Sequence, residues 1–203
     1  MTERERRSGA DTRAQIQRVA RRLFTEQGYE ATSTRDLTEA LGLTRSSLYY
    51  HFRNKEEILA SLVEERRHDL DELIDWVREQ PRTADLPRRT AQRWLAGTTP
   101  EHLATMRLAQ ANQPVMRRIT GHGTDVVGGF DRLIDLLAAE GTDPQGRILL
   151  RMTFDTVRAA LLAASPDVDP ADVLAAARRA SLALASAVDG APAPADDAAK
   201  RRG

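Results

Sequence analysis

From Thr44 to Lys55 the chain reads Thr-Arg-Ser-Ser-Leu-Tyr-Tyr-His-Phe-Arg-Asn-Lys, a run of hydrogen-bonding side chains with no carboxylate among them. Hydroxyls donate and accept, the guanidinium of Arg45 presents a planar fork of donors, and the phenols of Tyr49 and Tyr50 add reach. If Leu48 points inward, the outer side of a helix here carries Thr44, Arg45, Ser46, Ser47, Tyr49 and Tyr50. Such a face suits phosphate oxygens and base edges in a major groove. A tyrosine serving as plain core is the alternative for either of the pair.

Lysine is scarce enough to be informative. Of 30 Lys and Arg residues, only Lys55 and Lys200 are lysines. In the first turn of a helix the Lys55 ammonium opposes the helix dipole, a placement that a nearby phosphate would turn favourable. Other chemistry is thinly represented. There is no cysteine, so thiolate metal sites, disulfides and cysteine nucleophiles are excluded. His102, His122 and Asp125 are the candidates for metal or acid–base work, but they lack ligand spacing. No catalytic set emerges, and neither an enzyme, a cofactor nor a metal site is expected.

Apolar residues recur at three- and four-residue spacing and no segment alternates with period two for long, so the expected fold is all-α. Residues 1–11 are polar and read as a mobile arm. Arg4, Arg6 and Arg7 in it could enter a minor groove or simply be solvated. A first helix is expected over about 12–27, with Ile16, Val19, Ala20, Leu23 and Phe24 on one stripe, Thr12 and Gln15 as a capping box, and Gly28 as its stop. Ser33 with Asp36 opens a short second helix closed near Gly42. Thr44 caps a third through His51, and Asn54 with Glu57 opens a long fourth that Pro81 stops. Leu37, Leu41, Leu43 and Leu48 fall inside and Gly42 at the turn, which is the layout of a helix-turn-helix.

The motifs Gly28-Tyr-Glu-Ala-Thr-Ser-Thr-Arg-Asp-Leu37, Ala40-Leu-Gly-Leu-Thr-Arg-Ser-Ser-Leu-Tyr-Tyr-His-Phe52 and Asn54-Lys-Glu-Glu-Ile-Leu59 closely resemble the TetR family of repressors. The resemblance covers residues 12 to about 63. Thr38, where alanine is usual, and Ser46, where glycine, alanine or proline is commoner, depart from the pattern. The resemblance implies an all-helical homodimer whose N-terminal three-helix domain is joined by a long helix to a C-terminal bundle for ligand binding and dimerisation. It also implies repression of a double-stranded DNA operator, relieved by a small-molecule effector. Carried over by position, Ser33 and Arg35 touch phosphates, Arg45, Ser46, Ser47 and Tyr50 lie in the groove, and Tyr49, His51 and Lys55 sit at the DNA backbone.

The domains expected are therefore 12–55 for DNA binding and 56–188 for the body, with 189–203 as a disordered tail. The fourth helix, about 38 Å long at 1.5 Å per residue, outreaches the head and must pack in the body as well. Further helices are expected near 88–96, 101–119, 124–140, 145–164 and 170–188. Val173, Ala177, Ala180, Leu184 and Val188 make one face on the last helix. Leu150, Phe154, Val157 and Leu161 make another on its predecessor, and both could pack within the monomer or on a second copy. Trp94, Met106, Met116, Phe130, Met152 and Phe154 are the candidates to line an effector pocket. Gly121-His-Gly123 and Gly128-Gly129 suit a hinge, a pocket mouth or a tight helix contact. Arg147, Arg151, Asp155 and Arg158 form a polar stripe that could be solvated, subunit-bridging or anion-binding.

Net charge is zero, but up to Lys55 there are eleven Lys or Arg against seven Asp or Glu, which leaves the remainder equally acidic. That is a basic head on an acidic body. No apolar run reaches the ~18 residues of a membrane span, and no apolar stretch follows the basic start, so a cytoplasmic location is expected. The rival reading is a ligand-binding or enzymatic bundle whose head is a protein-interaction module. Activation in place of repression is open.

Overall fold

The computed structural model describes residues 3–120, 126–138, 142–165 and 167–189. Within them the chain forms α1 (Glu3–Gln27), α2 (Thr34–Leu41), α3 (Arg45–His51), α4 (Lys55–Arg78), α5 (Leu86–Ala96), α6 (Pro100–Ala111), α7 (Gln113–Thr120), α8 (Val126–Leu137), α9 (Pro144–Ala163) and α10 (Pro170–Asp189), and no strand. His122 and Asp125, weighed above for metal or acid–base work, the Gly121-His-Gly123 break and the tail beyond Asp189 lie outside the described residues.

Three apolar clusters hold these helices together. The head cluster gathers Ile16, Ala20, Leu23 and Phe24 of α1 around Leu37, Leu48, Phe52 and the first turns of α4 at Ile58, Leu59 and Leu62. A second cluster joins Leu70, Leu73, Ile74 and Val77 from the far half of α4 to α5, α8 and α9. The third lies among α5, α6, α9 and α10, around Leu95, Leu103, Val157, Leu161, Val173 and Ala177. Helix α4, at 24 residues, thus has one end in each of two cores. The head core does not close on its own residues, however. Leu108 of α6 and Val115 and Met116 of α7 complete it, so the packing boundary does not follow the chain boundary near residue 55.

Several boundaries differ from those the sequence suggests, each for a physical reason. Helix α1 starts at Glu3, so the backbone of residues 3–11 is helical and Thr12 is an interior position. Glu and Arg dominate that stretch, and straight-chain residues lose little freedom in a helix. The helix expected over 101–119 is two, broken at Asn112 (φ −116°, ψ 34°), whose Nδ2 donates to Leu108 O at 2.8 Å. Pro114 supplies the reason, since it has no N–H and its ring clashes with a continuing helix behind it. On α10 the buried face is Val173, Leu174, Ala177, Ser181 and Ala185, and Ala180 is exposed. Ser181 is accommodated inside because its hydroxyl donates to Thr153 O at 2.8 Å. The α9 face of Leu150, Phe154, Val157 and Leu161 is buried as expected.

Gly129 is a close-contact residue. A Cβ there would stand 2.7 Å from Leu70 Cδ2, so its absence lets α8 lie against α4.

Candidate nucleic-acid interface

Local bonds define the head helices one by one. The Ser33 hydroxyl accepts from Asp36 N while Asp36 Oδ2 accepts from Ser33 N at 2.7 Å, which closes the capping box of α2. These bonds hold the Asp36 carboxyl below its ordinary range, the backbone bond from Ser33 contributing most. At the other end Gly42 is left-handed (φ 63°, ψ 26°), and its N–H donates to Glu39 O as Leu43 N–H donates to Thr38 O. That paired closure needs a positive φ that a side chain would strain. Thr44 then caps α3, accepting from Ser47 N at 3.1 Å.

The consequence is a short α3 with one side inward. Leu48 is 1% exposed, whereas Tyr49 is 46% and Tyr50 77% exposed. Thr44, Arg45 and Ser46 are exposed beside them, with Ser47 half-buried. Thr44 Oγ1 lies 3.0 Å from Ser46 Oγ. Arg45 has no hydrogen bond or ion pair among the described residues. On α2, Arg35 is exposed and holds Glu39 at 2.7 Å, an exposed i,i+4 pair that a phosphate could replace at little cost. Thr38, the departure from the usual alanine, is buried and donates to Arg35 O. Ser33, Arg35 and the α3 face therefore sit on two adjoining helices, with their polar ends toward solvent.

Two expected backbone contacts look different in place. His51 is half-buried and packs edge-on against Tyr50 at 5.1 Å. Burial, and secondarily the Arg13 charge, lower its pKa, so at neutral pH the imidazole is uncharged and offers a phosphate only a neutral hydrogen bond. Lys55 does not stand free. Its Nζ donates to Tyr29 O at 2.6 Å and Thr32 O at 3.0 Å, with Glu30 O at 3.4 Å, and lies 4.2 Å from the Tyr29 ring centroid. Burial, then Glu56 and Glu30, push the Tyr29 phenol up to about 12.

Sequence reasoning missed Arg13. From α1 its Nη1 donates to His51 O at 2.6 Å and its guanidinium lies 4.0 Å over the Phe52 ring, which ties down the end of α3. Thirty-eight residues separate the partners, and no local pattern signals them.

The six pocket candidates are not brought together. Trp94, Phe130 and Phe154 do meet, with centroids 5.4 and 6.2 Å apart along the series. Met106 packs against the third cluster, Met116 lies in the head core, and Met152 is 48% exposed on α9. Met152 is a solvent-facing position because the helix turns Leu150, Thr153 and Phe154 inward instead. Beside Trp94 lies a second feature that sequence reading passed over. Arg66 of α4 stacks 3.4 Å over the indole and donates to Thr98 Oγ1 and Asp69 Oδ2, and burial lowers its pKa to about 10. His102 takes part in the capping box of α6. Its Nδ1 accepts from Thr99 N at 3.2 Å while Thr99 Oγ1 accepts from His102 N. The α9 polar stripe is largely paired: Arg147 with Asp135, Arg151 with Asp131 and Asp155, and Arg158 with Asp155. Among the described residues no group of three His, Cys, Asp or Glu could hold a metal, and no helix is long and apolar enough to cross a membrane.

Residues 16–62, the head and the first turns of α4, match the model of the bacterial regulatory proteins of the tetR family. Over 73 residues, 36% of this chain and 35% of the relative, the sequence is 36% identical to the HTH-type transcriptional regulator TtgR of Pseudomonas putida. Over 64 residues, 32% of this chain and 34% of the relative, it is 36% identical to the HTH-type transcriptional repressor AcnR of Corynebacterium glutamicum. These matches span about a third of each relative's length. The fold extends the likeness beyond the head. A TetR-family transcriptional regulator from Pectobacterium atrosepticum superposes with a TM-score of 0.59 at 26% identity, covering 95% of this chain and all of the other. The head thus matches the tetR family in sequence, and the arrangement of the ten helices among the described residues matches that of a TetR-family regulator in space.

Proposed function

We propose that the protein is a dimeric repressor that binds a palindromic DNA operator through α3 and is released when a small molecule occupies the body. The observation that carries this reading is the outer face of α3. There a guanidinium with no partner among the described residues, hydroxyls and two exposed phenols project from a helix locked at both ends, with no carboxylate among them. In this reading Thr44, Arg45, Ser46, Ser47 and Tyr50 meet the major groove, while Ser33, Arg35, Tyr49 and His51 meet phosphates.

Dimerisation is supported by the outer side of α9 and α10. Ile148, Met152 and Leu162 are exposed apolar residues along one side of α9, and Ala176, Ala180, Ala183 and Ala187 line the exposed side of α10. Small residues permit close approach of a second helix pair. Two copies of α3 would then enter successive major grooves about 34–36 Å apart. Release requires an effector that favours a differently spaced pair of heads. Helix α4, with one end in each core, is the natural carrier, and the Trp94, Phe130 and Phe154 group shares a core with its far half.

The test is footprinting of the purified protein on the DNA upstream of its own gene at low salt, alongside Arg45→Ala. The expected result is a protected two-fold site, with Arg45→Ala eroding discrimination between it and scrambled DNA by about tenfold or more. Absence of any site-specific protection would overturn the reading, and turnover in a metabolite screen without a footprint would favour the enzymatic rival.

A further inference from the structure

Arginine supplies nearly all the positive charge of this chain, and Lys55 is the single lysine among the described residues. Its surroundings explain the exception. Three carbonyl oxygens, of Tyr29, Glu30 and Thr32, converge on one point at 2.6, 3.4 and 3.0 Å from Nζ. An ammonium carries three N–H donors on a single atom and can meet such a cluster, whereas a guanidinium spreads its donors in a plane suited to flat anions. The carbonyls also supply the negative charge density that an ammonium in the first turn of α4 requires against the helix dipole.

The three carbonyls belong to the loop between α1 and α2, and the last of them immediately precedes Ser33, the residue that caps α2. Thr32 pins the other side of the same loop, its hydroxyl reaching Gly28 O at 2.8 Å and Leu23 O at 3.3 Å. The start of α2 is thereby fixed from two directions, by α1 through Thr32 and by α4 through Lys55. Since α3 follows α2 across a closed turn, its orientation depends on the same anchor.

We propose that Lys55 is a positioning residue of the DNA-binding head, stapling the carbonyls of residues 29, 30 and 32 to the first turn of α4 and setting how α2 and α3 are presented, instead of contacting a phosphate. This rests on the DNA-binding reading above. Because α4 continues into the body, the staple also makes any displacement of its first turn a displacement of α2.

The experiment measures binding to a random-sequence duplex across a salt series for the full chain and for Lys55→Ala and Lys55→Arg, with amide exchange of residues 29–33 in parallel. A staple predicts that Lys55→Ala weakens binding about tenfold, the scale of one lost charge-assisted bond, with the slope against salt unchanged. It also predicts that Lys55→Arg fails to restore affinity, and that amide protection of residues 29–33 falls in both. Should the alanine variant unfold under assay conditions, the arginine variant, which keeps the charge, decides. A phosphate contact predicts the reverse: a slope shallower by about 0.9 per protomer, full rescue by arginine and unchanged protection. That result, or unchanged affinity in Lys55→Ala, overturns the proposal while leaving the DNA-binding reading intact. A wild-type chain that binds no duplex defeats that reading and the proposal with it.

Discussion

Head and body hold their helices in register by different means. In the head, two of the cations from distant helices end on backbone carbonyls, Arg13 on His51 O and Lys55 on Tyr29 O and Thr32 O, beside the side-chain pair of Arg21 with Glu65. In the body, the helices are joined more often by side-chain pairs, Arg132 with Asp71, Arg151 with Asp131 and Arg147 with Asp135, although Arg82 reaches Leu136 O and Arg178 reaches Leu95 O at 3.4 Å. A carbonyl neither titrates nor rotates away from its helix or loop. An exposed ion pair is screened by solvent and re-forms in several geometries at little cost. The difference leaves the start of α2 and the end of α3 more firmly fixed than the outer helices of the body.

The largest effect should come from testing whether the two regions melt together. All three tyrosines lie in the head and both tryptophans, Trp76 and Trp94, in the body, so the two fluorophores report separate cores. Leu37 in the head and Leu133 in the body are each fully buried, and replacing either by alanine should cost about 2–5 kcal/mol. Helix α4 and the Leu108, Val115 and Met116 insertion join the cores, so each variant is expected to shift tyrosine and tryptophan transitions together. Transitions that separate would break the coupling and with it the role given to α4.

Gly129→Ala probes the body alone. The alanine gains helix propensity of about 1 kcal/mol but must displace Leu70, which is fully buried, and overpacking of that kind costs about 1–3 kcal/mol. A net loss of about 1 kcal/mol in urea denaturation is expected. A gain would mean that α8 yields easily against α4.

The smallest effect concerns pH. Burial first, then the Arg66 charge, lower the His102 pKa from 6.5, against an opposing push from Asp69 and Glu101. The unfolded chain therefore takes up this proton first as pH falls, and stability present above pH 6.5 is lost on acidification below it. Protonation also removes the Nδ1 acceptor that Thr99 N uses. His102→Gln keeps an acceptor at that capping position and should flatten the slope of stability between pH 7 and the acid range, read by urea midpoints. An unchanged slope would assign the acid sensitivity elsewhere, as to His51 in the head.

The legible part of this protein is the part written within four residues. Ser33 with Asp36, Gly42, and the caps Thr44 and Asn54 act in the structure where the sequence places them, because caps and turns are closed by near neighbours, although the Glu57 carboxylate accepts from Arg53 N and not from Asn54 N. From them follow the length of α2 and α3 and the outward face of Arg45, Ser46, Tyr49 and Tyr50. Pro114 was an equally local signal, and it divides a helix that periodicity alone would run on.

What only the tertiary structure decides is where charge and bulk end up across long separations. Met116 closes the head core from the far side of the chain, Met152 faces solvent, and His102 caps a helix. Lys55 is the sharpest case. Its scarcity marks it in the sequence as a residue with a special anion, but the partner proves to be three carbonyls from 23 to 26 residues upstream. Composition reveals that a charge has a purpose. Only the folded path of the backbone brings the acceptors to it, because side-chain reach of a few ångströms is measured through space and not along the chain.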